Sequence, residues 1–249
     1  MKRLTSLLWL ILGACGLSAA TTPLFDGKTL TGWDGDPKVW RVVDGAIVGG
    51  SLQGNPRNEF LTTKRSFFNF RLKFEYKLVG TEGFVNGGVQ FRSLRATNPP
   101  NEMIGYQADI GAGYTGSLYD ESRRKKVLAK VGTGVGSQGV KTEAELKALE
   151  KAGEWNTYEV VAIGPRVMIY LNGRNTVDYT ETDPAIALDG KVALQVHSGG
   201  MALVQFKDIA ITELPPTPGA PTWDKVGHPK PRPPAKKKNA LPATVPSAK

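Results

Sequence analysis

The sequence predicts an all-β protein: a sandwich of two antiparallel sheets with one short inserted helix. Apolar and polar residues alternate in many segments, most clearly over residues 70–77, which is the pattern of strands with one buried and one solvated face. The chain has 29 glycines for turns, and Asn172-Gly173 is a strong hairpin signal because both residues tolerate positive φ. Many short strands separated by such turns are typical of a sandwich or barrel.

The same period of two continues along the chain. It predicts further strands at residues 89–92, 106–110, 158–163, 167–171, 192–197 and 203–211. The helix is predicted after Thr142, because Thr142 and Glu145 have the spacing of a capping box, and it stops before Gly153. Leu146 and Leu149 give it only a narrow apolar face, so we expect a surface insertion.

The first 20 residues have the pattern of a signal peptide. Lys2 and Arg3 precede an apolar stretch that is too short to span a bilayer, and small residues follow up to Ala20. The segment Leu12-Gly13-Ala14-Cys15 resembles a lipobox, so lipidation at Cys15, the single cysteine, competes with ordinary cleavage after Ala20. We therefore expect a periplasmic or secreted protein, or an outer-membrane lipoprotein.

The organisation that follows is a signal peptide at 1–20, one jelly-roll domain at 21–214 and a tail at 215–249. The tail is rich in proline and lysine and poor in apolar residues, which predicts disorder. Of the net charge of +9, two charges lie in the signal segment and a net six beyond residue 214, which leaves +1 on the domain. A nearly neutral domain is not expected to bind nucleic acid, and membrane contact is expected only through a lipid at Cys15.

Polar side chains on three predicted strands mark a candidate site. They form pairs at positions i and i+2, which share a strand face: Gln90 with Arg92, Gln107 with Asp109, and Gln195 with His197. Amide, carboxylate, imidazole and guanidinium groups are suited to hydrogen-bonding sugar hydroxyls. The prediction requires the three strands to be neighbours in one sheet.

Further candidates for substrate binding lie nearby. Tyr106, Tyr114 and Tyr119 offer rings on which a sugar can stack, and the remaining polar candidates are Asn86, Asp120 and Glu59. Glu121 is an additional acid, although both Asp120 and Glu121 can instead pair with the arginines that follow them. No phosphate-binding loop, dinucleotide fingerprint or serine elbow is present, and two histidines cannot make a multi-histidine metal site.

Six segments in the same order resemble the 3-keto-disaccharide hydrolase domain family. They are LFDGKTLTGW at 24–33, WRVVDGAI at 40–47, NGGVQFR at 86–92, GEWNTYEV at 153–160, NG at 172–173 and LQVHSGG at 194–200. The resemblance implies a concanavalin A-like jelly roll with the active groove on the concave sheet. It also implies an exported enzyme acting on 3-keto-glycosides, whose ketone a partner glycoside 3-dehydrogenase has introduced.

The sequence departs from the family pattern in two places. Many members have Tyr-Glu-Val-Gln where this chain has Tyr106-Gln107-Ala108-Asp109, so the carboxylate and the amide have exchanged places. Many have Asn-Ser-Gly where this chain has Asn86-Gly87-Gly88. If the family glutamate acts as a base or metal ligand, that role passes to Asp109 or is lost.

A mechanism follows from the ketone, which acidifies the hydrogen on C2. Asp109 or His197 would remove this proton and the other would protonate the leaving group at C1; water then adds to the product. Arg92 with Gln107 or Gln195 would stabilise the developing enolate. A divalent cation such as Ca²⁺, held by Asp109, His197 and amide oxygens, is an alternative stabiliser.

Two other functions stay open at this point. Jelly rolls also serve as non-catalytic, lectin-like binding modules, because fold does not fix function. An ordinary retaining glycosidase needs two carboxylates about 5 Å apart, and the sequence has no paired Glu-x-Asp-x-x-Glu strand to supply them.

Overall fold

The computed structural model describes residues 19–111, 113–133 and 139–227. It shows two antiparallel sheets packed face to face, which confirms the predicted fold class. Cys15 and nearly all of the predicted signal peptide lie outside the described residues. Neither helix in the described ranges is long and apolar enough to cross a membrane.

Fifteen strands and two short helices make up the described part of the chain. They are β1 (Thr21–Pro23), β2 (Trp33–Asp34), β3 (Trp40–Val43), β4 (Ala46–Ser51), β5 (Glu59–Thr63), β6 (Asn69–Gly83), β7 (Asn86–Arg95), β8 (Met103–Gly111), β9 (Leu118–Glu121), β10 (Lys126–Ala129), α1 (Glu143–Leu149), β11 (Asn156–Ile163), β12 (Arg166–Leu171), β13 (Arg174–Thr180), β14 (Lys191–Val196), β15 (Gly200–Leu214) and α2 (Trp223–Val226). Each strand predicted from the two-residue period lies within one of these, apart from His197, which follows β14 directly.

The strands divide between an eight-stranded and a seven-stranded sheet. The first has the order β13-β12-β11-β6-β15-β4-β3, with β1 also paired to β15. The second has the order β10-β9-β8-β7-β14-β5-β2. The apolar face of β6, with Phe70, Leu72, Phe74 and Tyr76, is buried between the sheets. Burying each such side chain contributes roughly 1.5–3 kcal/mol to the stability of the sandwich.

The predicted turn and helix are both present. Asn172 and Gly173 join β12 to β13 with φ values of 46° and 81°, as a two-residue hairpin turn requires. Helix α1 begins after Thr142, whose hydroxyl accepts a hydrogen bond from the backbone N–H of Glu145 at 3.1 Å. Only Leu146 of this helix is buried, so α1 is the surface insertion that its narrow apolar face predicted.

The segment that follows the domain packs against it, which differs from the predicted start of the tail. Trp223 is buried; its backbone N–H donates to Asp189 Oδ1 at 2.9 Å and its indole N–H donates to the carbonyl of Arg92 at 3.2 Å. The prediction of disorder from residue 215 is therefore wrong for residues 215–227. The prediction used the average composition of the segment, in which one tryptophan has little weight. Burial of that tryptophan is nevertheless enough to fix a short segment. The rest of the tail, 228–249, lies outside the described residues.

Candidate active site

The three strands that carry the polar pairs are neighbours, in the order β8-β7-β14. Gln107 of β8 lies opposite Gln90 of β7, and Asp109 lies opposite Gly88, which in turn lies opposite Gln195 of β14. The intervening residues of these strands belong to the core between the sheets, among them Val89, Ala108, Ile110, Leu194 and Val196. The polar face is thus the outer face of the seven-stranded sheet, and the condition on which the site prediction depended is met.

A pocket of about 170 Å³ lies on this face. Its lining residues are Phe84, Asn86, Gln107, Asp109, Tyr114, Tyr119, Glu121 and His197. Among them are the predicted site residues Asn86, Gln107, Asp109, Tyr119 and His197. Binding sites for drug-sized ligands measure roughly 300–1,000 Å³, so this pocket suits something smaller, such as a single sugar ring.

Asp109 forms the buried end of the pocket. One carboxylate oxygen, Oδ1, accepts a hydrogen bond from Nε2 of Gln107 at 2.7 Å. Its backbone is fixed from three sides by bonds with Ser117, Gly116 and the hydroxyl of Tyr158. Burial raises the pKa of Asp109 to about 7, and the charge of Glu121 acts in the same direction, while the bond from Gln107 opposes them. Asp109 can therefore exchange a proton near neutral pH.

His197 closes one end of the pocket. Its backbone N–H donates to the carbonyl of Asn86 at 3.1 Å, which continues the pairing of β14 with β7. Nδ1 lies 2.7 Å from the carbonyl oxygen of Ser198, and because a carbonyl only accepts, Nδ1 carries the hydrogen. Nε2 is then the nitrogen that can take up or release a proton. The ring of Phe84 packs edge-on against the imidazole, with centroids 4.7 Å apart.

Glu121 is the second carboxyl of the pocket. Burial raises its pKa to about 7, and the charge of Glu102 adds to the effect. Burial also raises the pKa of Glu102, which accepts a hydrogen bond from Nδ2 of Asn58 at 3.2 Å. The pKa of Tyr119 is raised by burial and by the charge of Glu121, so its phenol stays protonated at neutral pH. The pocket thus contains two carboxyls, Asp109 and Glu121, whose pKa burial raises to about 7, beside a phenol that stays protonated.

Arg92 lies outside the pocket, which corrects its predicted place beside Gln90. Its backbone has φ of 49° at an irregularity in β7, and this change of direction turns its side chain away from the polar face. The guanidinium is fully buried and donates to the carbonyl of Phe68 at 3.0 Å, to the carbonyl of Gly164 at 2.6 Å and to Oδ1 of Asn69 at 3.0 Å. The residue ties the two sheets together and is not placed to touch a substrate.

Tyr106 and Asp120 also lie on the other side of the sheet. Tyr106 belongs to the core, and its hydroxyl donates to Glu181 at 2.5 Å. Asp120, opposite Tyr106 in the register, is fully buried and forms ion pairs with Arg123 and Arg124. Neither side chain therefore faces the pocket, because position in the strand, which alternates between faces, decides where a side chain points.

The remaining candidates support the site or lie beside it. Glu59 pairs with Arg57 and stands opposite Val196, a core residue. Gln90 is fully buried and bonds to Gln107, so it contacts the pocket only through that side chain. Gln195 is on the pocket face but fully buried, and its amide has no hydrogen-bond partner among the described residues. None of these three lines the pocket, contrary to prediction.

Phe84 is the lining residue that the sequence analysis did not name. It lies in the connection between β6 and β7, where no periodicity indicates which way a side chain points. Tyr114, named as a stacking ring, and Glu121, named as an additional acid, both line the pocket, and Glu121 is two residues from Tyr119 and shares its face. In the described ranges, no group of three or more His, Cys, Asp or Glu side chains is close enough to hold a metal ion.

Comparison with known proteins agrees with this geometry. The model of the 3-keto-alpha-glucoside-1,2-lyase-like domain family matches residues 20–212. The chain belongs to this family. Its membership confirms the resemblance found in the sequence and relates the protein to carbohydrate chemistry. No curated protein sequence matches the chain.

Solved structures share its fold. A candidate glycosyl hydrolase from Parabacteroides distasonis is 24% identical with a TM-score of 0.55, over 78% of this chain and 94% of its own. A second structure of a candidate glycosyl hydrolase from the same organism is 23% identical with a TM-score of 0.54, over 78% of this chain and 100% of its own. The carbohydrate binding module CBM66 from Bacillus subtilis is 17% identical with a TM-score of 0.54, over 74% and 96%. At these identities the likeness concerns the fold.

Proposed function

We propose that this protein cleaves 3-keto-glycosides by elimination across C1 and C2, followed by hydration. The observation that carries the proposal is Asp109, a buried carboxyl with a pKa of about 7 in a small polar and aromatic pocket. A base for carbon acids must be ionised at working pH yet retain affinity for a proton, and a pKa near 7 provides both. Membership of the lyase-like family supports the same chemistry.

The proposed reaction begins with a proton on C2, which the neighbouring C3 ketone makes acidic. Asp109 takes this proton, and the electron pair moves to the C3 oxygen as an enolate. The enolate then expels the C1 substituent, which receives a proton from Nε2 of His197 in its imidazolium form and leaves as an alcohol. Water then adds to the C1–C2 double bond: its hydroxyl goes to C1, Asp109 returns its proton to C2, and the remaining proton of the water goes to His197, which gives the free 3-keto sugar and restores both residues. The sum is glycoside plus water to sugar plus alcohol.

The other lining residues fit supporting roles in this proposal. The protonated phenol of Tyr119 is a suitable donor to the enolate oxygen, a role for which Arg92 is too remote. Phe84 and Tyr114 form an aromatic wall, with ring centroids 6.2 Å apart, against which the apolar face of a sugar ring can pack. The pocket volume favours a single terminal ring, as in a disaccharide or small glycoside.

The proposed substrate already carries its ketone at C3 when it reaches this protein. We propose that a glycoside 3-dehydrogenase supplies it. The signal-like first 20 residues favour a location in the periplasm or outside the cell, with a lipid anchor at Cys15 as the alternative to a free N-terminus. Fractionation of cells producing the tagged protein, with and without Cys15→Ala, tests both points.

Ordinary glycoside hydrolysis is the second candidate, and one observation favours it. Asp109 and Glu121 line the same pocket, and burial raises the pKa of each to about 7. Glycosidases that act on unoxidised sugars use a pair of carboxyl side chains in one pocket. A lectin-like module, which binds without turnover, is the third.

One experiment separates the three functions. The purified protein is incubated with 3-keto-trehalose and with trehalose, each with EDTA or with added divalent cation, and sugar release is followed. Turnover of the keto substrate alone supports the proposal; turnover of trehalose supports the glycosidase; binding of either without turnover supports the module. Deuterium at C2 should slow the keto reaction if proton abstraction limits it.

Variants then assign the roles. Asp109→Asn and His197→Ala should each lower the rate by about 10²-fold or more, the usual contribution of a general base or acid. Asp178→Asn is the matched control, because Asp178 pairs with Arg166 in the other sheet and has no contact with the pocket. Full activity in both Asp109→Asn and His197→Ala would overturn the assignment.

A further inference from the structure

We propose that Ser93, Gln90 and Gln107 form a hydrogen-bond chain that holds the carboxylate of Asp109 in one orientation, with a single oxygen left for the substrate. Gln90 and Gln107 are then positioning residues. This inference rests on the proposed function for its catalytic meaning, while the chain itself stands on the geometry.

The chain consists of three short bonds. The hydroxyl of Ser93 lies 2.8 Å from Oε1 of Gln90 and also 2.8 Å from the carbonyl oxygen of Phe91, and in this chain its one hydrogen goes to Gln90. Nε2 of Gln90 donates to Oε1 of Gln107 at 2.7 Å. Nε2 of Gln107 donates to Oδ1 of Asp109 at 2.7 Å. All four side chains are buried, with relative exposures of 0% for Ser93 and Gln90, 2% for Gln107 and 4% for Asp109. Water competes little for these bonds, which strengthens them.

The charge at one end sets the direction of every bond. A carboxylate only accepts, so the amide nitrogen of Gln107 must face Asp109 and its oxygen must face Gln90. That oxygen needs a donor, so the nitrogen of Gln90 faces it and the oxygen of Gln90 faces the hydroxyl of Ser93. Reversing either amide would place two donors or two acceptors against each other. The ionised form of Asp109 and this orientation of the chain therefore stabilise each other.

Gly88 makes the path of Gln107 possible. A Cβ atom at this position would lie 2.8 Å from Cδ of Gln107 and 3.0 Å from its Nε2, closer than van der Waals contact allows. Without a side chain at 88, Gln107 can lie across β7 and reach both Gln90 and Asp109. The exchange of amide and carboxylate within Tyr106-Gln107-Ala108-Asp109, which departs from the family pattern, is what places an amide in the middle of the chain.

The chain opposes the effect of burial on Asp109. Burial favours the neutral acid, whereas a donor to the carboxylate favours the ionised form. Removing Gln90 leaves the oxygen of Gln107 without its donor in a buried place, so Gln107 is free to turn or shift. Its bond to Asp109 then weakens, and the acid should titrate at higher pH.

The test uses Gln90→Leu, which keeps the bulk of the side chain and leaves Gln107 and Asp109 in place. Titration of the Asp109 carboxyl is followed by ¹³C NMR on protein labelled at aspartate carboxyls, with the Asp109→Asn spectrum assigning the resonance. The midpoint should rise by about half to one unit. The acidic limb of the kcat/KM profile should move by the same amount, so that activity falls about three- to tenfold at pH 6 and little at pH 9.

Gln195→Leu is the matched control, since Gln195 is an equally buried glutamine on the same sheet face and lies outside the chain. Its Asp109 midpoint should equal that of the natural protein. If Gln90→Leu does not fold, Ser93→Ala removes only the first donor and should raise the midpoint in the same direction. An unchanged midpoint in a folded variant of either kind overturns the proposal. Because the NMR titration needs no substrate, failure of the proposed function would leave its result intact.

Discussion

Replacing Asp109 by asparagine should make the protein more stable while it destroys the activity. The pKa of Asp109 rises from 3.8 in the unfolded chain to about 7 in the folded protein, because burial disfavours its charge. Between these values the folded state holds a proton that the unfolded state has lost, so stability falls as pH rises from about 4 to 7. About three units at 1.36 kcal/mol each give about 4 kcal/mol as an upper limit.

Asparagine carries no charge at any of these pH values, yet its Oδ1 can still accept the bond from Gln107. The free energy of unfolding of the two proteins should therefore agree near pH 4, and the variant should become more stable as pH rises, by up to about 4 kcal/mol above pH 7. Urea denaturation at several pH values measures this difference directly, and the contributions of titrating groups that do not interact with Asp109 cancel in it.

Asp120→Asn is the control, because it removes the partner of Arg123 and Arg124 and should destabilise the protein. A difference between Asp109→Asn and the natural protein that does not change with pH would refute the reasoning. So would a variant that is less stable at pH 8.

Three further predictions address the corrected residues. Arg92→Met should lower the free energy of unfolding by about 3 kcal/mol, since the carbonyls of Phe68 and Gly164 lose this donor while Oδ1 of Asn69 keeps only the bond from the N–H of Gly164. It should retain turnover per folded molecule; a large loss of turnover at full folding would contradict this. Gly88→Ala should displace Gln107 and reduce activity at least tenfold with a small change in melting temperature, measured side by side. Truncation after residue 214 should lower the melting temperature, because it removes Trp223, whereas truncation after 227 should not.

Much of the fold follows from periodicity, because each strand of a sandwich is buried on one side. The alternation at Phe70, Leu72, Phe74 and Tyr76 and the turn at Asn172-Gly173 can be recognised from the local sequence, without knowing which strands pair with one another. Trp223 was missed because a single aromatic residue carries no period. The sequence likewise did not reveal which sheet β7 joins, so the meeting of β8, β7 and β14 was a condition of the prediction.

The site was predictable where the strand is regular. The side chains of Gln107, Asp109 and His197 lie on the face of the sheet that the two-residue periodicity predicts. The side chain of Arg92 does not lie on that face because β7 is irregular between Phe91 and Leu94. No residue type in the sequence predicts such an irregularity. Phe84 and Tyr114 lie in connections between strands, and the path of such a connection depends on the whole fold. A local sequence pattern therefore does not predict which way their side chains point.

One side of strand β8 lines the pocket and the other side packs in the core, and this limits how the protein can evolve. Substitutions at Gln107 or Asp109 change the lining of the pocket while the core residues Ala108 and Ile110 keep the sandwich intact, so the chemistry of the pocket can change by point mutation. Loss or gain of one codon within the strand is different. It would turn every later side chain to the opposite side, sending the acid into the core and apolar residues into the pocket. Relatives of this protein should therefore differ by substitutions within strand β8, and by insertions or deletions only in the connections between strands.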